Sequence, residues 1–102
     1  MFALIENILQ AELFNPFRGR QWGLTELITI KDIDQAIKEK KYRNKELWNL
    51  DRNYHIQRIA YFVKYGWENP IEIDKYCIVD GYHRLCAAIY RKDKTISAIY
   101  TE

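Results

Sequence analysis

The run Cys77-Ile78-Val79-Asp80-Gly81-Tyr82-His83-Arg84-Leu85-Cys86-Ala87-Ala88-Ile89-Tyr90 does most to limit what this chain can become. It reads as a short buried strand, a turn at Asp80-Gly81, and a helix. Asp80 is placed to cap that helix by accepting a backbone N–H near its start. Gly81 lacks a Cβ, so the chain can turn tightly there and another group can approach the backbone. His83 and Arg84 then fall in the first helical turn. Cations at that end oppose the helix dipole, at a cost of roughly 0.3–1 kcal/mol. An anion held by the free N–H groups and Arg84 reverses the sign of that effect. The local chemistry therefore points to an anion site, with phosphate the natural occupant.

The segments around this run set the architecture. Apolar residues at Ile5, Ile8, Leu9 and Leu13 predict a helix over 2–13, broken by Asn15-Pro16. Phe17 to Gly23 reads as a loop carrying Arg18 and Arg20, either a polar surface loop or an arm reaching an anion. Leu24 to Ile30 is too short for periodicity to decide, and its β-branched residues favour a strand. Asp32 is the expected cap of a helix over 33–42, and Arg43 to Leu50 the connection that tucks Leu47, Trp48 and Leu50 against the core. Asp51 should cap the clearest helix, Arg52 to Tyr65, whose stripe is Ile56, Ile59, Ala60 and Val63, with Gly66 closing it. After Pro70, Ile71-Glu72-Ile73-Asp74 alternates like a half-buried strand, joined by a short link to Cys77–Val79 as a hairpin. A turn at Lys92-Asp93-Lys94 leads to a last strand, Thr95 to Tyr100. The expected fold class is α+β: a small mixed β-sheet packed with helices.

With 102 residues, the chain fits one domain, 1–102. The net charge of +2 is too weak to argue for independent nucleic-acid binding. The basic run Lys38, Lys40, Lys41, Arg43, Lys45 is explained as well by a solvated helix end. No apolar run approaches the ~20 residues of a membrane span, and nothing at the start reads as a signal peptide. A reduced, cytoplasmic protein is the expectation. Cys77, Cys86 and His83 invite a zinc reading, but three ligands at this spacing form no recognised pattern, so no metal site is expected from them. Both cysteines read as reduced packing residues. Trp22, Trp48 and Trp67 either stack on a base or pack at the core and rim.

Residues Tyr54 to Tyr100 resemble the ParB/sulfiredoxin-like family. The matching pieces are the helix around His55 to Tyr65, then Gly66, Pro70-Ile71-Glu72-Ile73 and Asp80-Gly81-Tyr82-His83-Arg84, followed by Leu85-Cys86-Ala87-Ala88 and the strand Ile96 to Tyr100. Residues 1 to 50 have no equally clear counterpart. The resemblance implies a ParB/sulfiredoxin-like fold and a nucleotide-binding domain, taking ATP or CTP, as a nucleoside triphosphate or diphosphate, with Mg2+. Sulfiredoxins place a nucleophilic cysteine where this chain has Tyr82, so their repair chemistry is not expected. Partition proteins of the family carry DNA-binding and dimerisation regions beyond what 102 residues hold. Free-serine kinases of this fold carry an Asp-Gly-His-His-Arg type motif, which Asp80, His83 and Arg84 match.

The resemblance gives Gly81, Tyr82, His83 and Arg84 as phosphate-binding residues, with His55 and Arg58 as further nucleotide-binding candidates one turn apart on the preceding helix. Asp80 and His83 are the catalytic candidates. Asp80 is either a general base, a partner of Mg2+, or simply a helix cap; His83 either donates to phosphate, shuttles a proton, or makes a structural bond. Arg84 either grips phosphate with its fork or pairs with Asp80 or Glu72. A small phosphotransferase or nucleotide hydrolase is one outcome. The alternatives are a non-enzymatic adaptor, in which the aromatics form a contact patch with a protein partner or a second copy, and a DNA-partition-associated module.

Overall fold

A computed structural model describes residues 1–12, 15–45, 51–74 and 78–101. The expected places of Leu13, Leu47, Trp48, Leu50 and Cys77 lie outside these described residues. The strands are β1 (Phe2–Leu4), β2 (Ile71–Ile73), β3 (Ile78–Asp80) and β4 (Thr95–Tyr100). The helices are α1 (Ile5–Glu12), α2 (Ile30–Lys38), α3 (Arg52–Tyr65) and α4 (Tyr82–Tyr90).

The four strands form one mixed sheet in the order β1-β4-β2-β3. β4 runs antiparallel to β1, with Phe2 opposite Ser97, and parallel to β2, with Ile71 opposite Ala98. β2 and β3 form the expected antiparallel pair, Glu72 opposite Asp80 and Ile73 opposite Ile78. That count leaves Val79 as an extra residue in β3, a bulge that turns its side chain outward; it is 52% exposed. The α+β class with a small mixed sheet is thus what the chain adopts.

α4 is the middle of the molecule. Leu85 and Ala88 face the sheet and join Ile5, Ile8, Ile71, Ile73, Ile78, Ile96 and Ala98 in one core cluster. Cys86 and Ala87, on the opposite side, join Phe17, Ile28, Ile33, Ile56, Ile59 and Ala60 in a second. All four of these α4 residues are fully buried. Their small size at three of the four positions lets sheet and helices close on α4 from both sides.

α3 keeps the bounds its sequence predicts. The Asp51 side chain accepts from the Asn53 backbone N–H, and Gly66 closes the helix at φ 73°. Three expectations are corrected. The helix over 2–13 begins only at Ile5, because residues 2–4 are drawn into the sheet by β4; the Ile5 N–H donates to Lys94 O and the Ala98 N–H to Met1 O. Tertiary pairing here outweighs local periodicity. Residues 24–29 form no strand: the Ile28 N–H bonds Phe17 O, and Ile28 plugs the core at 1% exposure.

α2 is capped by Thr29 rather than Asp32. Thr29 Oγ1 accepts from the Asp32 N–H at 3.2 Å while Asp32 Oδ2 accepts from the Thr29 N–H at 2.8 Å, a reciprocal cap. Burial alone would raise the Asp32 carboxyl; the bonds from Thr29 and Arg52 outweigh it and hold it below its usual range. The helix stops at Lys38, and Lys40 follows at φ 55°, a left-handed exit. Among the described residues no helix is long and apolar enough to cross a membrane.

Candidate functional site

Gly81 decides how β3 hands the chain to α4. Its φ is 114°, and a Cβ there would sit 2.4 Å from Ile71 Cγ2 and 2.8 Å from Ile71 Cβ. Only glycine fits, because the turn is made directly against β2. Gly81, and not Asp80, is also the N-cap of α4, and no side chain caps that end. The expected Asp80 cap fails for a simple reason: Asp80 is still the last residue of β3. Its carboxylate instead accepts from Arg84 Nη2 at 3.3 Å.

Arg84 has three acceptors. Nη1 donates to Asn69 O at 2.7 Å and Pro70 O at 2.9 Å, and Nη2 to Asp80. Its side chain is 12% exposed, against 58% for Asp80. The ion pair with Asp80 is therefore real, and the fork also fastens the approach to β2 onto α4. Of five N–H donors, the second on Nη2 and the one on Nε are not used by these bonds.

In front of this turn lies an open hollow of about 710 Å³. Arg58, Asp80, Gly81, Tyr82, His83 and Arg84 all line it. Six of the seven residues singled out from sequence thus meet in one place; His55 lies behind them, buried at 3% exposure. Arg58 reaches the hollow from α3, donating through Nη1 to Arg43 O and Asn44 O, with its guanidinium carbon 4.6 Å from the Phe62 ring centroid. Its Nε is buried and has no acceptor.

Three further lining residues matter: Glu72, named from sequence only as a possible partner of Arg84; Trp67, named only as a ring that stacks on a base or packs; and Phe62, not singled out. Glu72 stands opposite Asp80 in the β2–β3 register, which sets two carboxylates side by side at one edge. Phe62 and Trp67, edge to face at 6.1 Å, form an aromatic wall away from the charged turn. The register could have given Glu72; the wall depends on how the chain folds back after Gly66.

Behind the hollow is a layer of flat rings. His55 Nδ1 and His83 Nε2 are 2.8 Å apart, and the two imidazoles are within 10° of parallel, so they lie side by side and share one proton. The Trp22 indole covers both, 4.4 Å from the His55 centroid and 4.3 Å from the His83 centroid. The Tyr54 ring meets both edge to face. Trp22 comes from a short 3-10 turn, Arg20–Trp22, held between Gly19 and Gly23, both left-handed. Burial, together with the nearby His55, Arg58 and Arg84, pushes the His83 pKa down to about 3. His83 is a neutral imidazole at neutral pH. It can offer or accept a hydrogen bond but carries no positive charge.

Cys86 is fully buried and burial pushes its thiol far up, so it offers no thiolate to chemistry. No group of three His, Cys, Asp or Glu side chains suited to a metal ion occurs among the described residues. Comparison of the chain with protein-family models, with curated proteins and with solved structures finds no match.

Proposed function

We propose that the hollow ahead of α4 binds a nucleoside di- or triphosphate with Mg2+, in the manner of ParB/sulfiredoxin-like domains. The observation that carries this reading is the convergence of Arg58, His83, Arg84 and the uncapped start of α4 on one open hollow. The two arginines supply charge-assisted donors for phosphate oxygens, and the helix start supplies backbone N–H groups. Glu72 and Asp80 suit a Mg2+ ion that keeps most of its water and takes the rest of its ligands from phosphate. The aromatic wall of Phe62 and Trp67 accepts a base at the other end. A hydroxyl or water beside Asp80 would make the same arrangement a phosphotransferase or a nucleotide hydrolase, where positioning and charge do most of the catalysis.

Calorimetric titration with ATP, CTP and ADP in the presence of Mg2+ tests the reading. Binding by the wild type is expected, weakened about tenfold or more in Arg84→Lys, which keeps the charge and loses the fork. A wild type that takes up none of the three nucleotides overturns it.

A second reading, an adaptor that uses the fold for protein contact, is favoured by the sheet face turned away from the helices. Phe2, Leu4 and Ile99 fall on that face by register and are 76, 51 and 43% exposed. Partner capture or dimerisation that survives Arg84→Lys but not Phe2→Ser would favour it. DNA binding, the partition-module alternative, predicts a salt-dependent gel shift, and absence of a shift at low salt closes it.

A further inference from the structure

We propose that His55 is a positioning residue for His83: it donates its Nδ1–H to His83 Nε2, which leaves His83 as an Nδ1–H donor for an anion in the hollow. Both the tautomer and the role in ligand binding rest on the function proposed above, since it is an anion in the hollow that asks for a donor there. His55 lies outside the hollow and at 3% exposure has no direct access to a ligand there. Its ring is bonded to the one histidine that lines the hollow, at a distance typical of a strong hydrogen bond.

A neutral imidazole has one donor and one acceptor nitrogen, and the partner of one nitrogen decides which the other becomes. With Nε2 engaged by His55, Nδ1 is the atom His83 has left for a ligand. Toward an anion held between Arg58 and Arg84, a donor at Nδ1 is complementary and a lone pair is repulsive. The opposite arrangement, with His83 donating to His55, would aim that lone pair at the anion.

Trp22 completes the device. Lying flat over both rings, the indole blocks water from the shared proton and prevents either ring from tilting out of the common plane. Tyr54 confines the pair at its edges. A single ring orientation follows, which is what pre-organised recognition of an anion requires.

Nitrogen-15 NMR of the imidazoles in the ligand-free wild type reads the tautomer directly. The expected result is one neutral species for His83 with the proton on Nδ1, the form that isolated neutral histidine in water disfavours. A proton on Nε2, or an exchanging mixture, overturns the inference whether or not any variant folds. His55→Leu should shift His83 toward the Nε2–H form and weaken Mg·ATP or Mg·CTP binding about tenfold, whereas His55→Gln, whose side-chain amide can still donate, should restore both. Loss in both variants alike also overturns it. If the wild type shows the Nδ1–H form yet binds no nucleotide, the nucleotide reading falls and the His55–His83 assignment stands.

Discussion

One turn of helix separates two very different contacts between α3 and α4. At Ile59 and Ala60 against Cys86 and Ala87, the helices meet through small and aliphatic groups, all fully buried. At His55 against His83, about one turn earlier on each helix, they meet through two imidazoles under an indole. The first contact is what stability alone would select: it removes apolar surface from water and asks for no partner geometry. The second demands a bond of the right length, a fixed tautomer and a cover, and leaves a buried polar group unsatisfied if one member is lost. A small domain gains little stability from such an arrangement. The arrangement stands directly against the hollow proposed above as a binding site.

The contrast can be broken in graded steps. Ile59→Ala strikes the aliphatic contact and should lower unfolding free energy by about 4 kcal/mol, read by urea denaturation, because a fully buried side chain leaves a cavity between packed helices. Gly81→Ala should cost about 3 kcal/mol in the same assay, through a strained φ and the collision with Ile71, and should weaken nucleotide binding as well.

The imidazole contact has its own signature in acid. The His83 pKa is lowered from 6.5 to about 3, so between these values the unfolded chain binds more protons than the folded one. Stability is therefore full above pH 6.5 and falls as pH drops toward 3. Thermal melts of His83→Asn should show a flatter slope across that window; an unchanged slope would mean His83 is not shielded as described. The smallest effect belongs to a site remote from both contacts. Thr29→Ala removes one half of the α2 cap and should cost about 1 kcal/mol without touching binding.

Local chemistry made the second half of the chain readable. Asp51 and Gly66 punctuate α3, and Asp80-Gly81 punctuates the passage from β3 to α4; each signal acts within a few residues of the structure it produces. The hollow inherits its residues from these same elements; the chemistry of the turn singles out Asp80, Gly81, His83 and Arg84, whereas Arg58 and Tyr82 came only from the family resemblance. What stayed hidden depends on distant partners. Residues 2–4 look helical until β4 supplies an edge to pair with. Trp22 looks like any half-buried aromatic until the Gly19–Gly23 turn lays it over two histidines that are 28 residues apart in sequence. Sequence spacing set His55 and Arg58 on one face of α3; only folding revealed that one lines the hollow and the other stands behind it.

The tethering of Arg84 has a further result. Holding its guanidinium to Asn69, Pro70 and Asp80 removes the side chain's rotational freedom when the protein folds. If the proposed site takes a nucleotide, that ligand is spared the roughly 0.5–1.5 kcal/mol of ordering that a loose arginine exacts. The same rigidity forbids pursuit: a guanidinium fastened at three points cannot lean toward a poorly shaped guest, so under the proposed function selectivity would turn on where the guest's charge sits on arrival.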